Sequence, residues 1–202
     1  FPMTSGPCWT WAISSAFAKV QSWTSAHESR SSFLGDDRIR YPKSHFECDN
    51  RLAWFMARLT KKYGNDGVLV VILRDKKDIA KSYNKRWYKV NIVGAYSQGI
   101  LMRDLGENSL QVCEDYVENV YENIEYFSKD WKHVIYFDLD NIELGVSNVL
   151  GLIGRSKDKE LVCKHLLAHR ENKNIFSVYQ RSSWIWFGFR FFIRNVLCAL
   201  RL

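Results

Sequence analysis

A run of apolar residues that passes directly into a helical pattern constrains the fold of this chain more than any other feature. Residues 68–73 are six consecutive valines, leucines and isoleucines, and the charged pair Arg74-Asp75 follows them. An unbroken aliphatic run of this length is typical of a strand buried on both faces, as in a parallel sheet covered by helices. The sequence therefore predicts an α/β domain.

The residues after this run have the pattern of an amphipathic helix. Four apolar side chains recur at helical spacing with lysines on the opposite side: Ile79, Ala80, Tyr83 and Trp87. A strand that turns into a helix places the connecting residues at the carboxyl end of the sheet, where open α/β folds bind ligands. Arg74 has that position, and Ser82 follows it by eight residues. A guanidinium with a hydroxyl beside it suits a phosphate.

This stretch resembles the segment with which sulfotransferases that use 3′-phosphoadenosine 5′-phosphosulfate (PAPS) bind the 3′-phosphate of their donor. In that family a strand ends in Arg-Asp-Pro or a similar triplet, and a Ser eight residues after the Arg binds the same phosphate. Here these residues are Arg74-Asp75-Lys76 and Ser82. The resemblance extends from Ser5 to about Lys173. It implies, over residues 1–180, a P-loop-NTPase-like three-layer sandwich with a central parallel sheet and helices on both faces.

The resemblance also implies an activity and its partners. A sulfuryl group would move from PAPS to a hydroxyl or amine of a small-molecule or glycan acceptor, leaving adenosine 3′,5′-bisphosphate (PAP). No metal is implied, and the five cysteines are widely spaced without a CxxC pair, which argues against a zinc site and a dense disulfide framework. We expect reduced core thiols, with a single disulfide as the alternative.

The segment before the first predicted helix departs from the family pattern. Residues 1–5 are expected to end a first strand, and a turn then leads into a helix through Gly6, Pro7, Cys8, Trp9, Thr10 and Trp11. Such a turn collects backbone N–H groups for an anion, and its position resembles the loop that holds the 5′-phosphosulfate. Gly6 stands where the family has Lys or Arg, and no basic residue precedes Lys19. A PAPS- or PAP-binding relative with impaired turnover is therefore an alternative function.

The candidate catalytic residues lie before the central run. Lys43-Ser44-His45-Phe46 resembles the Lys-Thr-His-Leu segment of cytosolic sulfotransferases. The resemblance implies that His45 is the base and that Lys43 contacts the sulfuryl group. A histidine has a suitable pKa for that role near neutrality. Glu47 is the competing base, since other branches of the superfamily use a carboxylate, and a structural histidine in a loop is the third alternative.

The remaining elements are expected to frame these sites. Residues 21–40 are polar without a clear period, which predicts a loop. Helices are predicted at 50–63, 91–104 and 108–131, and a strand parallel to the central one is predicted at 133–139. Residues 169–174 lie where the family places a basic loop over the adenine and 3′-phosphate. Arg170 and Lys173 are candidate nucleotide contacts there, with solvent-exposed charge as the alternative.

The last part of the chain, residues 181–202, predicts a separate amphipathic helix. Arg190, Arg194 and Arg201 share one helical face among aromatic and aliphatic residues, a pattern that suits a membrane interface. Each arginine costs about 2.5–3.5 kcal/mol at a bilayer centre, which disfavours a membrane-spanning helix. Packing on the domain or on a second copy in a homodimer is the alternative.

The net charge of +7 favours an anionic partner. Nucleic acid is not expected, because no recognised nucleic-acid-binding motif accompanies the charge. We expect a cytoplasmic protein that associates with membranes through residues 184–202, or an interaction protein held at a membrane interface by that segment.

Overall fold

The computed structural model describes residues 9–87, 92–104, 108–180 and 198–201, with side chains as far as residue 169. This part of the chain forms, in order, α1 Trp9–Phe17, β1 Thr24–His27, β2 His45–Cys48, α2 Met56–Tyr63, β3 Gly67–Leu73, α3 Lys76–Asn84, α4 Ile92–Ala95, α5 Ser109–Ser128, β4 His133–Asp138, α6 Ile142–Leu152, α7 Lys159–Gln180 and β5 Cys198–Arg201. Short segments of 3-10 helix occupy Gly35–Ile39, Asn50–Phe55 and Ser156–Asp158, and a π-helical turn occupies Tyr96–Ile100.

The five strands form one mixed sheet in the order β1-β2-β5-β3-β4. The pairs β1–β2 and β3–β4 are parallel, and β5 lies antiparallel between β2 and β3. The predicted parallel pairing of the strand at 133–139 with the central strand is therefore confirmed. The prediction of an entirely parallel sheet is wrong, because β5 runs the other way at its centre.

Helices cover both faces of the sheet because the side chains of β3 alternate between two hydrophobic cores. Leu69 and Val71 pack with α2, α3 and α5, whereas Val68, Val70 and Ile72 pack with α1, α6 and α7. All five are buried, and complete burial of one such aliphatic side chain contributes about 1.5–3 kcal/mol. The chain is thus a mixed α/β domain organised around the apolar run that dominates its sequence.

Three sequence predictions differ from the observed elements. The predicted loop at 21–40 contains β1, which is short and only half-buried and so lacks an aliphatic run. The predicted loop at 169–174 is helical, because α7 continues to Gln180. Residues 198–201, predicted as part of a C-terminal helix, form β5 and hydrogen-bond to strands on both sides. Residues 181–197 and 202 lie outside the described residues, as does the predicted strand end at 1–5.

The cysteines differ in their chemical state. Cys113 and Cys163 are free and buried, as expected for core thiols. Cys48 is disulfide-bonded, so the expectation of reduced thiols is wrong at this position, and its backbone lies directly opposite that of Cys198. Within the described ranges, no helix is both long and apolar enough to cross a membrane.

Candidate active site

The strand directions define two ends of the sheet, and the candidate site lies at the carboxyl end. Strands β1, β2, β3 and β4 all point the same way, so His27, Cys48, Leu73 and Asp138 end at one edge. Parallel strands that end together bring the residues that follow them into one crevice.

The predicted phosphate-binding residues belong to this edge. Arg74 follows β3 directly and is partly exposed, and the Asp75 carboxylate accepts a hydrogen bond of 2.9 Å from the backbone N–H of Asp78, which caps α3. Ser82 lies on the inner side of α3 and is buried. Arg74 thus lies between β3 and α3, and Ser82 is the seventh residue of that helix.

A tyrosine from α5 covers the same strand end. The Tyr121 hydroxyl donates to the Ile72 carbonyl at 3.4 Å. Burial raises the pKa of Tyr121 to about 12, and the positive charge of Arg74 opposes that rise. The tyrosine is therefore neutral at physiological pH and remains a hydrogen-bond donor.

The start of α1 meets the end of β1. Thr10 is buried, and its Oγ1 lies 3.0 Å from Nε2 of His27. Trp9 is also buried and packs edge-on against His169 at 5.4 Å between ring centroids, whereas Trp11 is half-exposed. Gly6, Pro7 and Cys8 lie outside the described residues. The first turn of α1 is therefore fixed at the carboxyl end of the sheet, beside a partly exposed histidine.

A chain of charged side chains follows β1 and β2 at this edge. Arg51 Nη1 lies 2.7 Å from Glu28 Oε1, and Asp49 accepts from the Arg51 backbone N–H at 2.9 Å. Asp49 also pairs with Arg38, and both of these side chains are buried. Glu28 has a left-handed backbone, with φ of 51°, which is uncommon for a residue other than glycine. These contacts fix the direction in which Arg51 extends.

The predicted catalytic base has no ring nitrogen available. His45 Nδ1 lies 2.7 Å from Thr24 Oγ1, and Nε2 lies 3.0 Å from Glu47 Oε2. Glu47 is completely buried and also accepts from the backbone N–H and the hydroxyl of Ser29 at 2.8 and 2.5 Å. Both residues therefore hold β1, β2 and the segment after β1 together.

The register also separates these residues from Arg74. His45 is level with Gly67 across the sheet, seven residues before Arg74, which is about 23 Å along the strand direction at roughly 3.3 Å per residue. Lys43 is exposed and precedes β2 at the same end. This geometry does not support the prediction that Lys43 and His45 share one ligand with Arg74, because both lie at the amino end of the sheet. Glu47 lies one residue before the carboxyl end of β2, where its carboxylate is bound to Ser29 and His45.

For two further predicted nucleotide contacts, the structure gives only the position of the backbone. Arg170 and Lys173 lie within α7, and their side chains are outside the described residues. No group of three metal-ligating side chains occurs in the part of the chain whose side chains are described.

Sequence reasoning missed His27, Glu28 and Arg51. His27 and Glu28 were assigned to a polar loop, since the four residues of β1 give no apolar signal. For Arg51 a signal was present, because Asp49 is a good cap and places the next residues at the beginning of a helical turn directly after β2. Comparison of the chain with models of protein families, with curated proteins and with solved structures finds no match.

Proposed function

We propose that the protein is a PAPS-dependent sulfotransferase with a P-loop-NTPase-like arrangement of its α/β layers. One observation carries the proposal: Arg74 ends the buried strand β3, Ser82 lies on the helix that follows, and the first turn of α1 is at the same end of the sheet. A bisphosphorylated nucleotide needs two anion-binding positions on one edge, and the proposal assigns one to Arg74 and the other to the first turn of α1.

Each group at the edge has a role in this proposal. Arg74 and Ser82 bind the 3′-phosphate, and the first turn of α1 with Thr10 receives the 5′ side of the donor. The acceptor oxygen attacks sulfur, the bond from sulfur to the bridging phosphate oxygen breaks, and PAP leaves with the electron pair of that bond. No metal takes part in this step.

His27 replaces His45 as the proposed base for the acceptor proton. It is partly exposed and lies beside Thr10, where the sulfuryl group would sit. His27 pairs with Cys48, and Cys48 is level with Val70 across β5. His27 therefore lies about 13 Å from Arg74 along the strand direction, compared with about 23 Å for His45. An imidazole nitrogen can accept the proton as the new bond forms.

A relative that binds PAPS or PAP without turnover is the second candidate. It is favoured by the absence of Lys or Arg from the segment before α1.

Thermal unfolding with nucleotides tests the donor site. PAP at a hundred times its dissociation constant should stabilise the protein by about 2.7 kcal/mol, which for this length is roughly 5–10 °C. The shift should be smaller with 5′-AMP, which lacks the 3′-phosphate, and should be lost in Arg74→Gln. Arg103→Gln is the matched control, since Arg103 is exposed on a different segment. Equal shifts with PAP and 5′-AMP would contradict the proposal.

A further inference from the structure

We propose that Asn50 and Tyr116 form the polar end of a second binding site, which takes a neutral planar ligand with a hydrogen-bond donor and an acceptor side by side, as in a carboxamide. The site goes beyond the proposed function, because neither residue is assigned to the sulfuryl donor or to its acceptor. It lies on the α5 side of the sheet, between the segment that follows β2 and the helices α3 and α5.

Two buried side chains at this position have polar atoms without a hydrogen bond. Asn50 begins the 3-10 segment after β2 and is 1% exposed, but neither its Oδ1 nor its Nδ2 has a hydrogen-bond partner among the described residues. The hydroxyl of Tyr116 on α5 also lacks a partner in this part of the chain, although Tyr116 is equally buried. Because the great majority of buried polar groups in folded proteins are paired, these three atoms indicate a place where a ligand supplies the partners.

The two side chains meet at Tyr83 of α3. The ring of Tyr83 is edge-on to that of Tyr116, with 5.2 Å between the ring centroids. Burial raises the pKa of Tyr83, the neighbouring Tyr116 adds to that rise, and the Asn50 amide opposes it. An amide changes the pKa of a hydroxyl in this way only at close range. The unpaired atoms of Asn50 and Tyr116 therefore lie beside the same hydroxyl and belong to one place.

Aromatic rings form the wall of this place towards solvent. Tyr96 is edge-on to Tyr116 at 5.3 Å, and Trp54 lies 6.0 Å from Tyr96 and 6.4 Å from Tyr116 between ring centroids. Trp54 is 40% exposed, whereas both tyrosines are buried. A ligand from solvent would thus pass the ring of Trp54, and a planar ligand packs favourably against such rings.

The charges around the cluster are already paired, which favours a neutral ligand. The charged side chains nearest to it each have a partner: Asp49 pairs with Arg38, Glu28 with Arg51, Asp115 with the Tyr96 hydroxyl and Arg86 with the Ser82 carbonyl. The atoms left for a ligand are an amide oxygen, an amide nitrogen and a hydroxyl. An amide presents its acceptor and its donor side by side, so it pairs with a planar group that offers a donor and an acceptor in the same arrangement.

The unpaired atoms predict opposite effects of substitution on stability and on binding. A buried polar atom without a partner destabilises the free protein, and an apolar side chain of similar shape avoids this loss. Asn50→Leu and Tyr116→Phe should therefore each raise the Tm of the free protein by roughly 2–6 °C. If the two side chains were only structural, their substitution would instead remove hydrogen bonds on which the fold depends.

The test combines thermal unfolding of the free protein with binding of a small probe. Nicotinamide is the probe, since it is a neutral carboxamide on an aromatic ring. Nicotinate has the same ring, but its charged carboxylate lacks the N–H donor. Dissociation constants for both compounds are measured by saturation-transfer NMR titration on wild type, Asn50→Leu and Tyr116→Phe. Asn119→Leu and Tyr126→Phe are the matched controls, since both residues are exposed on α5.

We expect wild type to bind nicotinamide at least tenfold more tightly than nicotinate. Asn50→Leu should bind nicotinamide at least tenfold more weakly than wild type and should have a higher Tm. Tyr116→Phe should change both quantities in the same directions, and it provides the same test if Asn50→Leu does not fold. The two control variants should bind nicotinamide as wild type does.

Three results would overturn the proposal. A lower Tm of the variants would mean that the free protein already satisfies these atoms, as an ordered water would do. Wild type that does not bind nicotinamide, or that binds nicotinate equally well, would exclude recognition by a donor and an acceptor. Equal binding of nicotinamide to wild type and to both variants would place the probe elsewhere. None of these measurements involves a nucleotide or sulfuryl transfer, so their outcome is separate from that of the proposed function.

Discussion

The buried contacts of Glu47 yield the sharpest test of whether it is structural or catalytic. Its carboxylate is completely buried and accepts hydrogen bonds from the Ser29 backbone N–H and hydroxyl, with Nε2 of His45 at 3.0 Å. Glu47→Gln keeps the shape of the side chain but removes the charge and replaces one acceptor oxygen with a donor. The substitution therefore changes the hydrogen bonding at a site that water does not reach.

The expected loss of stability follows from those contacts. The amide oxygen of glutamine can still accept from Ser29, but the new NH₂ group faces His45 or the second Ser29 donor. The loss of one charge-assisted hydrogen bond costs about 1.5–3 kcal/mol, and removing a buried charge recovers part of its desolvation cost. We expect a net loss of about 2 kcal/mol, which lowers the Tm of a chain of this length by roughly 4–8 °C.

Urea and thermal unfolding of Glu47→Gln, with Glu122→Gln as control, measure this effect. Glu122 is exposed on α5, so its substitution should change stability by less than about 0.5 kcal/mol. A Glu47→Gln protein as stable as the control would refute the structural interpretation. If such a protein also lost its sulfuryl transfer, Glu47 would return as the candidate base.

Two further predictions concern pH and packing. The pKa of Tyr121 rises from its unfolded value of 10.0 to about 12 on burial, so the folded state loses stability relative to the unfolded state as the pH rises from 10 to 12. Between pH 9 and 11, Tyr121→Phe should therefore lose less free energy of unfolding than wild type. Identical slopes of stability against pH for the two proteins would contradict the burial of Tyr121. Gly145→Ala on α6 would bring a methyl group to 2.8 Å from the ring of Phe137 and should lower the free energy of unfolding by about 1–3 kcal/mol. At Gly151 on the same helix an added methyl group meets no atom within 4 Å, so Gly151→Ala should stabilise the protein by about 0.5–1 kcal/mol. Equal effects of the two alanines on urea midpoints would show that the α6–β4 contact is not as close as described.

The parts of the fold that the sequence predicts are those with a long, strong period. The aliphatic run at 68–73 and the helical repeat at 108–131 each bury a continuous apolar surface, so the pattern and the packing agree. Strand β1 and strand β5 show the limit. β1 is short and half-buried, so it gives no strand signal. The local pattern of β5 predicts part of an amphipathic helix, but its pairing with strands on both sides overrides that pattern.

For the candidate site, the sequence predicted the local order of a buried strand, Arg74 and a helix that contains Ser82. This order depends only on neighbouring residues, so the local pattern is sufficient for it. The position of His45 depends instead on where β2 begins relative to β3, and a match to a short motif contains no information about that register. His45 is the first residue of β2, and the register places it level with Gly67 at the start of β3, whereas Arg74 follows the end of β3.

His27 and His45 are therefore expected to respond differently to substitution, and measurements of turnover can show which of them is the base. With a PAPS donor and an acceptor on which wild type is active, His27→Gln should lower kcat per folded molecule by about a hundredfold, the usual contribution of a general base, in addition to any loss of Tm from its contact with Thr10. His45→Gln should lower Tm, because it breaks contacts with Thr24 and Glu47, while kcat per folded molecule, measured well below its Tm, stays within a few fold. A full loss of turnover in His45→Gln with normal folding would instead mean that the acceptor reaches the amino end of the sheet, and the site at Arg74 would then serve a different chemistry.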